Sequence, residues 1–335
     1  MSLLETRSLS IGYTQKATSP KVLQKDVNLS INPGEIISLM GQNGVGKTTF
    51  VKTISGLIPR LSGEVYYHHD PLEHLNANEL ARRLSIVLTE KPYSHNISVL
   101  ELIAIGRHPY SNWMGVLSDK DKKAIDWAIN ETHINYLADK KLYELSDGQL
   151  QKVMIARALA QETDLIILDE PAAHLDLYNK IEVMTLLRSI AQKGKGILIS
   201  THDMQISTQL SDRLWLFNFN EPVQQGTPED LILDGTLEKT LYLQDYGYDM
   251  IHGSINIGTP ENGTSVKLEG PEAVLFWTSQ ALRRNGIKVS ESAETTVSCS
   301  KKEWIIRTPE SSKHCTTIGE LLAYFRQAAN PGSRL

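Results

Sequence analysis

Residues 41–48 read Gly-Gln-Asn-Gly-Val-Gly-Lys-Thr, a spacing of glycines, lysine and hydroxyl suited to holding phosphate. Glycines at 41, 44 and 46 let backbone N–H groups converge on an anion without Cβ clashes. Lys47 has the reach to serve the β- and γ-phosphates of a nucleotide, and Thr48 offers a hydroxyl to Mg²⁺. A second stretch, Leu165-Ile-Ile-Leu-Asp-Glu170, ends an apolar run in two carboxylates. One of them suits a divalent cation, and the other suits the polarising of a water. A third, Gly196-Ile-Leu-Ile-Ser200, runs into Thr201-His202-Asp203. A histidine there could donate to a γ-phosphate, although a lone histidine is more often structural. Tyr13, ahead of the loop, could stack on adenine. It could equally be a half-buried tyrosine at a strand end, and composition alone favours that reading.

The elements that must position these groups follow from the pattern around them. The loop lies between an apolar run of strand length, 35–40, and a helical stretch, 49–57, the context that makes a phosphate-binding loop. The helix N-terminus adds a partial positive charge. The four apolar residues before Asp169 predict a buried parallel strand, with its acids at the carboxyl end where open α/β sheets bind ligands. Further strands are expected at 3–11, 27–31, 62–68, 84–88, 196–200 and 214–217, and helices at 77–83, 181–191 and 228–233. From about 90 to 160 the chain reads as helical, with helices at 99–106, 119–137 and 149–161, which predicts an inserted subdomain. After about 248 the pattern changes to short strands at 264–269, 286–291, 294–299 and 303–308 and helices at 272–285 and 318–328. The expected division is therefore 1–248 and 249–335, the second part being a small α+β domain of unknown role.

The 335 residues carry a net charge of −5, which gives no global pull toward nucleic acid or anionic lipid. The two cysteines, Cys299 and Cys315, read as free thiols. No apolar run reaches the ~18 residues of a membrane-spanning helix. The N-terminus, Met1-Ser-Leu-Leu-Glu-Thr-Arg-Ser, has an early acid and does not read as a secretory signal. The expected location is the cytosol, with any membrane role supplied by a partner.

One further segment links these motifs to a known family. Leu145-Ser-Asp-Gly-Gln149 resembles the L-S-G-G-Q signature of the nucleotide-binding subunits of ABC transporters, and it opens the helix expected at 149–161. Its place between the phosphate loop and the acidic strand also matches. The resemblance covers roughly residues 3–235. It implies an α/β fold, a RecA-like P-loop NTPase core with an inserted helical subdomain, followed here by the small C-terminal α+β domain. It implies that Gly41, Asn43, Gly44, Val45, Gly46, Lys47, Thr48 and Thr49 surround ATP and that Tyr13 stacks on its adenine. By the same resemblance Asp169 and Thr48 support Mg²⁺, Glu170 polarises the attacking water, and His202 contacts the γ-phosphate. Ser146, Gly148, Gln149 and the D-loop Asp176 would complete the site across a homodimer. The implied reaction is ATP hydrolysis coupled to a membrane permease, with no nucleic-acid partner, at the inner face of the cell membrane. A substrate-binding protein would take part indirectly.

Arg82–Leu88, Val99–Tyr110 and Gly226–Asp230 resemble stretches of the importer ATPases for iron–siderophores, haem or cobalamin. Two positions depart from the family pattern. Glu90 stands where the family has the Q-loop glutamine, as a further oxygen donor for Mg²⁺. Asp147 stands where the signature has glycine, and its side chain is expected to point away from the γ-phosphate of the opposite subunit. These departures motivate one alternative, a nucleotide-gated regulatory module with little hydrolysis. The other alternative, a soluble non-transport ABC ATPase acting on DNA or ribosomes, usually carries paired nucleotide domains or a long coiled coil, and the sequence shows neither.

Overall fold

The computed structural model describes residues 2–14, 20–88, 96–111, 116–243, 248–249, 253–255 and 263–329. The chain forms two compact units, divided between Tyr242 and Leu243.

The first unit is built on a six-stranded sheet in the order 224–226, 213–217, 36–41, 196–200, 165–169 and 84–87. The five strands from 213–217 to 84–87 are parallel, and Gln224–Gly226 runs antiparallel at one edge. Alternation along the strands divides the apolar side chains between two cores. Ile37, Leu39, Leu165, Ile167 and Leu198 enter one, which holds Phe50 edge-on to Trp215 and Phe217. Ile36, Ile166, Leu168, Ile197 and Ile199 enter the other, under the helices. Because both faces are covered, these strands are apolar at nearly every position, as a buried parallel sheet requires. A second, antiparallel sheet pairs Lys21–Val27, Leu4–Tyr13, Ser62–Tyr67 and Asp70–Pro71, with Ser30–Ile31 paired beside them. The helix Lys47–Ile54 packs between the two sheets through Phe50, Val51 and Ile54.

The helical region holds Val99–Ile105, Asp119–Glu131 and Asp147–Ala160. Each is opened by a serine, Ser98, Ser118 and Ser146, in a reciprocal capping box. One fully buried cation, Arg107, ties the region together. Its Nε donates to Asp121 Oδ1 at 2.8 Å, and its Nη1 donates to Ala160 O at 2.6 Å and Glu162 Oε2 at 2.7 Å. Its guanidinium lies 4.1 Å from the centre of the Tyr110 ring. Asp121 and Glu162 offset the charge that burial would otherwise leave uncompensated.

Two expected helix boundaries shift for local reasons. The helix expected over 119–137 stops at Glu131, where the Thr132 hydroxyl donates back to Ala128 O and His133 takes a φ of +53°. The helix expected from 181 starts at Leu177, because Asp176 caps it at Asn179 N. The short helix Met204–Leu210, opened by Asp203, was not expected.

In the second unit a five-stranded sheet runs 288–289, 265–269, 295–299, 304–307 and 312–315, with helices Glu272–Arg283 and Ile318–Ala329. The strand 312–315 was not expected. Val266, Val297, Trp304, Ile306, Leu321 and Phe325 share its core. Cys299 and Cys315 are both free and buried. Trp304 pairs with Cys299 on one side and Cys315 on the other. The thiols thus sit two strand spacings apart, ~9.5 Å, beyond the reach of a disulfide.

Candidate active site

The strands 36–41, 165–169, 196–200 and 213–217 end together, and their register brings the sequence motifs to one edge. Leu39 faces Ser200, Asp169 faces Ser200 from the other side, and Gly41 faces Phe217. A cleft of about 460 Å³ opens there, its lining including Tyr13, Lys47, Thr48, Thr49, Asp169 and Glu170.

The loop is held rigidly from beneath. Val45 is buried, and the amide of buried Gln24 donates to Val45 O at 3.1 Å and to Asn218 O at 2.8 Å. Gly41 has a φ of +147°, and a Cβ there would stand 2.3 Å from Phe217 O. Gly46, at φ +112°, is the N-cap of the helix, so the loop runs straight into that helix N-terminus.

Lys47 donates to Gly41 O at 2.7 Å and Gln42 O at 3.1 Å. Burial lowers its pKa, while Glu170 and Asp169 act in the opposite direction. The lysine is only 8% exposed, so an anion delivered to its ammonium meets a charge already stripped of most water. Thr48, one residue on, is exposed, and Thr49 is buried.

Glu170 follows the acidic strand with a φ of +51°, its N–H donating to Ser200 O at 2.8 Å. A non-glycine residue in the left-handed region is costly and concentrates at functional positions. The turn leaves Glu170 Oε1 2.9 Å from His202 Nδ1, the spacing of an Nδ1–H donated to a carboxylate. A second cleft beside this pair is lined by Gln42, Asn43, Ala173 and His174 as well as Glu170 and His202. Tyr13 is half exposed, and its hydroxyl lies 2.6 Å from Thr49 Oγ1.

The remaining residues marked out by the sequence form a separate cluster. Ser146 Oγ accepts from Gln149 N at 3.3 Å, and Gln149 Oε1 accepts from Ser146 N at 3.1 Å. Gly148 is buried against Asn179, so that a Cβ would lie 2.3 Å from Asn179 Oδ1. Asn179 in turn donates twice to Asp176, at 2.8 Å from its backbone and 2.9 Å from its amide. None of Ser146, Gly148, Gln149 and Asp176 lines the cleft around Lys47. Asp147 is exposed in the first helical turn. Glu90 lies outside the described residues.

Gln24, Asn179 and Ser200 were not singled out from sequence. Gln24 carries no signal, since its strand Lys21–Val27 is mostly polar and does not alternate. Asn179 carries none beyond lying three residues after the helix cap.

The chain matches the ABC transporter family over residues 24–173 and the iron ABC transporter C-terminal domain over residues 262–326. It is 36% identical over 252 residues to an ABC transporter ATP-binding protein of Methanocaldococcus jannaschii, covering 75% of this chain and 85% of that one. It is 32% identical over 244 residues to the iron(3+)-hydroxamate import ATP-binding protein FhuC of Bacillus subtilis, covering 72% and 89%. A solved structure of an ABC transporter of metal-chelate type, in an inward-facing conformation, superimposes with a TM-score of 0.62 at 25% identity, over 72% of this chain and 89% of that one. The chain belongs to the ABC transporter ATP-binding proteins. It is an ATP-binding ATPase of transport, in a family whose cassettes work as dimers with membrane permease subunits. Among the described residues no helix is long and apolar enough to cross a membrane.

Proposed function

We propose that this chain powers the uptake of an iron–siderophore complex, hydrolysing ATP between two copies of itself beneath a separate permease. One observation carries the reading. Lys47, Thr48, Asp169 and Glu170 converge in one cleft, while Ser146, Gly148 and Asp176 cluster outside it. A chain that holds both halves of a phosphate cage apart needs a second copy to bring them together.

The residue roles proposed are those the family resemblance implies, and the geometry supports them. The backbone of Gly44–Lys47 and the Lys47 ammonium take the β- and γ-phosphates, and the Tyr13 ring takes the adenine. Glu170 accepts the hydrogen bond of the attacking water and orients it, while His202 holds Glu170 through Nδ1 and turns its other ring nitrogen toward the γ-phosphate, where it donates as the imidazolium. Ser146, Gly148 and Gln149 of one copy close the cage of the other, with Asp176 beside them. The hydroxyl of Thr48 and the carboxylate of Asp169 are oxygen donors in one cleft, the set that Mg²⁺ takes, with Glu90 a further candidate. When bound, the ion neutralises charge developing on the phosphates. Most of the catalysis is positioning and charge neutralisation by groups already in place.

The iron–siderophore assignment rests on the iron(3+)-hydroxamate import role of the Bacillus relative and on the match of residues 262–326 to an iron transporter domain. The protein would lie at the cytoplasmic face of the membrane, with a substrate-binding protein delivering cargo to the permease from the other side. The test is to purify the chain with its membrane partners, reconstitute them in vesicles, and measure ATP-dependent uptake of a ferric hydroxamate. Uptake abolished by Glu170→Gln supports the proposal. Uptake of haem or a corrinoid instead corrects the cargo and leaves the ATPase in place. Co-purification with ribosomal or DNA-repair proteins and no permease overturns it.

A further inference from the structure

We propose that Lys180 is a positioning residue for His202, coupling the signature cluster to the catalytic glutamate within one chain. The inference rests on the roles given to His202 and Glu170 above. Lys180 belongs to the first turn of the helix Leu177–Gln192, whose N-cap is Asp176. Its backbone N–H donates to Asp176 O at 2.9 Å. Its ammonium leaves that helix and meets Asp203 Oδ2 at 2.8 Å, with about a quarter of each side chain exposed.

Asp203 is the residue after His202; its carbonyl accepts from Ser207 N at 3.1 Å and Ser207 Oγ at 2.8 Å, and three further groups hold it. Its other oxygen, Oδ1, accepts from Ile206 N at 3.0 Å and so opens the helix Met204–Leu210. Its own N–H donates to Thr201 Oγ1 at 3.1 Å. The third of these groups is Lys180, the cation that pairs with the Asp203 carboxylate. Burial raises the pKa of Asp203, but the Lys180 ammonium and the Ile206 N–H outweigh it, and the net shift is downward. Asp203 is therefore an anion anchored by a cation from another element. Neither oxygen faces solvent alone.

A continuous set of contacts results. Gly148 packs on Asn179, and Asn179 holds Asp176 through two hydrogen bonds. Asp176 caps the turn that carries Lys180, Lys180 holds Asp203, and His202 beside it holds Glu170 at 2.9 Å. The histidine side chain is 70% exposed, so little packing fixes its ring. Its backbone anchor has to do that, and the cation among the groups fixing the anchor comes from the helix that Asp176 caps. A shift of the helix start, where a second copy would press on Asp176 and Gly148, moves Lys180 and with it the loop bearing His202. The arrangement couples closure of one half-site to the geometry of the other without any contact between their ligands.

The experiment uses the full chain with Lys180→Ala, Lys180→Arg, Asp203→Asn and His202→Ala. Asparagine still caps a helix, so Asp203→Asn removes the ion pair and spares the cap. In Lys180→Ala the kcat for ATP falls on the order of tenfold, as small misplacements of catalytic groups do, while KM and the affinity for a fluorescent ATP analogue stay within about twofold. Lys180→Arg restores turnover. Lys180→Ala combined with Asp203→Asn loses no more than either alone, and Lys180→Ala adds nothing to His202→Ala. Independent, additive losses overturn the proposal, as does wild-type turnover in Lys180→Ala. The second readout needs no turnover. In chain labelled with ¹⁵N-histidine, the imidazole signals of His202 shift in Lys180→Ala and return in Lys180→Arg; unchanged signals overturn the proposal. A wild-type chain that binds but does not hydrolyse ATP would instead refute the ATPase reading, and the imidazole signals would still decide the role of Lys180.

Discussion

Two regions of one chain carry the two halves of the phosphate chemistry, and they are built oppositely. Around Lys47 the polar groups converge on a cleft, and the lysine is buried with its charge directed at backbone oxygens it can exchange for phosphate. Around Ser146 the polar groups are turned on one another, in the serine–glutamine box and the Asn179–Asp176 pair, next to an exposed Asp147. The first region is a receptor. The second is a stiff, internally satisfied surface that gives nothing a place to sit until another concave surface meets it. Preorganisation serves both, since a cage that has to reorganise at closure spends binding energy on itself.

The sharpest break in the comparison is Glu170→Gln. It removes the water-orienting carboxylate and leaves the cleft standing, so the expected loss of turnover is about 10²–10⁴-fold with ATP affinity retained, read by steady-state hydrolysis beside equilibrium binding. The signature side would break differently. Its helix runs back to Ala160, whose carbonyl accepts from buried Arg107. Asp121→Ala removes one of the two carboxylates compensating that cation, for an expected destabilisation of about 3–5 kcal/mol in urea melts.

The same pair sets a pH dependence. The Ser118 hydroxyl, followed by Arg107 and the Ser118 N–H, holds the pKa of Asp121 below the ordinary aspartate value against the effect of burial. The unfolded chain therefore binds the proton first as pH falls. The stabilisation is fully present above pH ~4, the unfolded value, and is lost progressively below it toward the folded value. Melts from pH 7 to pH 3 show that loss in the wild type and a flatter profile in Asp121→Ala.

A smaller effect is expected at Gly148→Ala. The new methyl collides with the Asn179 amide, costs about 1–3 kcal/mol of stability, and disturbs Asp176. Turnover falls while nucleotide binding to a single chain is unchanged, measurable as a kcat effect without a change in Kd. The smallest is Tyr13→Phe, which keeps the ring and removes the hydroxyl 2.6 Å from Thr49. Nucleotide affinity changes by about 0.5–1.5 kcal/mol at most, whereas Tyr13→Ala costs about 1–3 kcal/mol of base stacking.

What was legible in the sequence was what is local. The phosphate loop, the acidic strand end and the serine at 146 each announce themselves within a few residues, because glycine freedom, buried-strand composition and capping are short-range effects. The parts that needed the structure join distant positions. Gln24 reaches Asn218 across 194 residues, and Lys180 meets Asp203 across 23. The helix start at Leu177 was missed because its first turn exposes Leu177, Tyr178 and Ile181, so the apolar pattern gave no inward face there. The helix over 119–131 was drawn too long because the stop comes from backbone, the Thr132 back-bond and the left-handed His133, and not from glycine or proline. The cysteines were correctly read as free, but the reason, Trp304 between them, lies in strand order.

The central claim is that each ATP is held between two copies of this chain. The most direct measurement is the mass in solution of Glu170→Gln with and without ATP, by size exclusion with light scattering. The account predicts 37.4 kDa without nucleotide and twice that mass with ATP, reversed when Gly148→Ala is added to the same chain. A chain that binds ATP stoichiometrically and stays at the monomer mass at every concentration tested would contradict it.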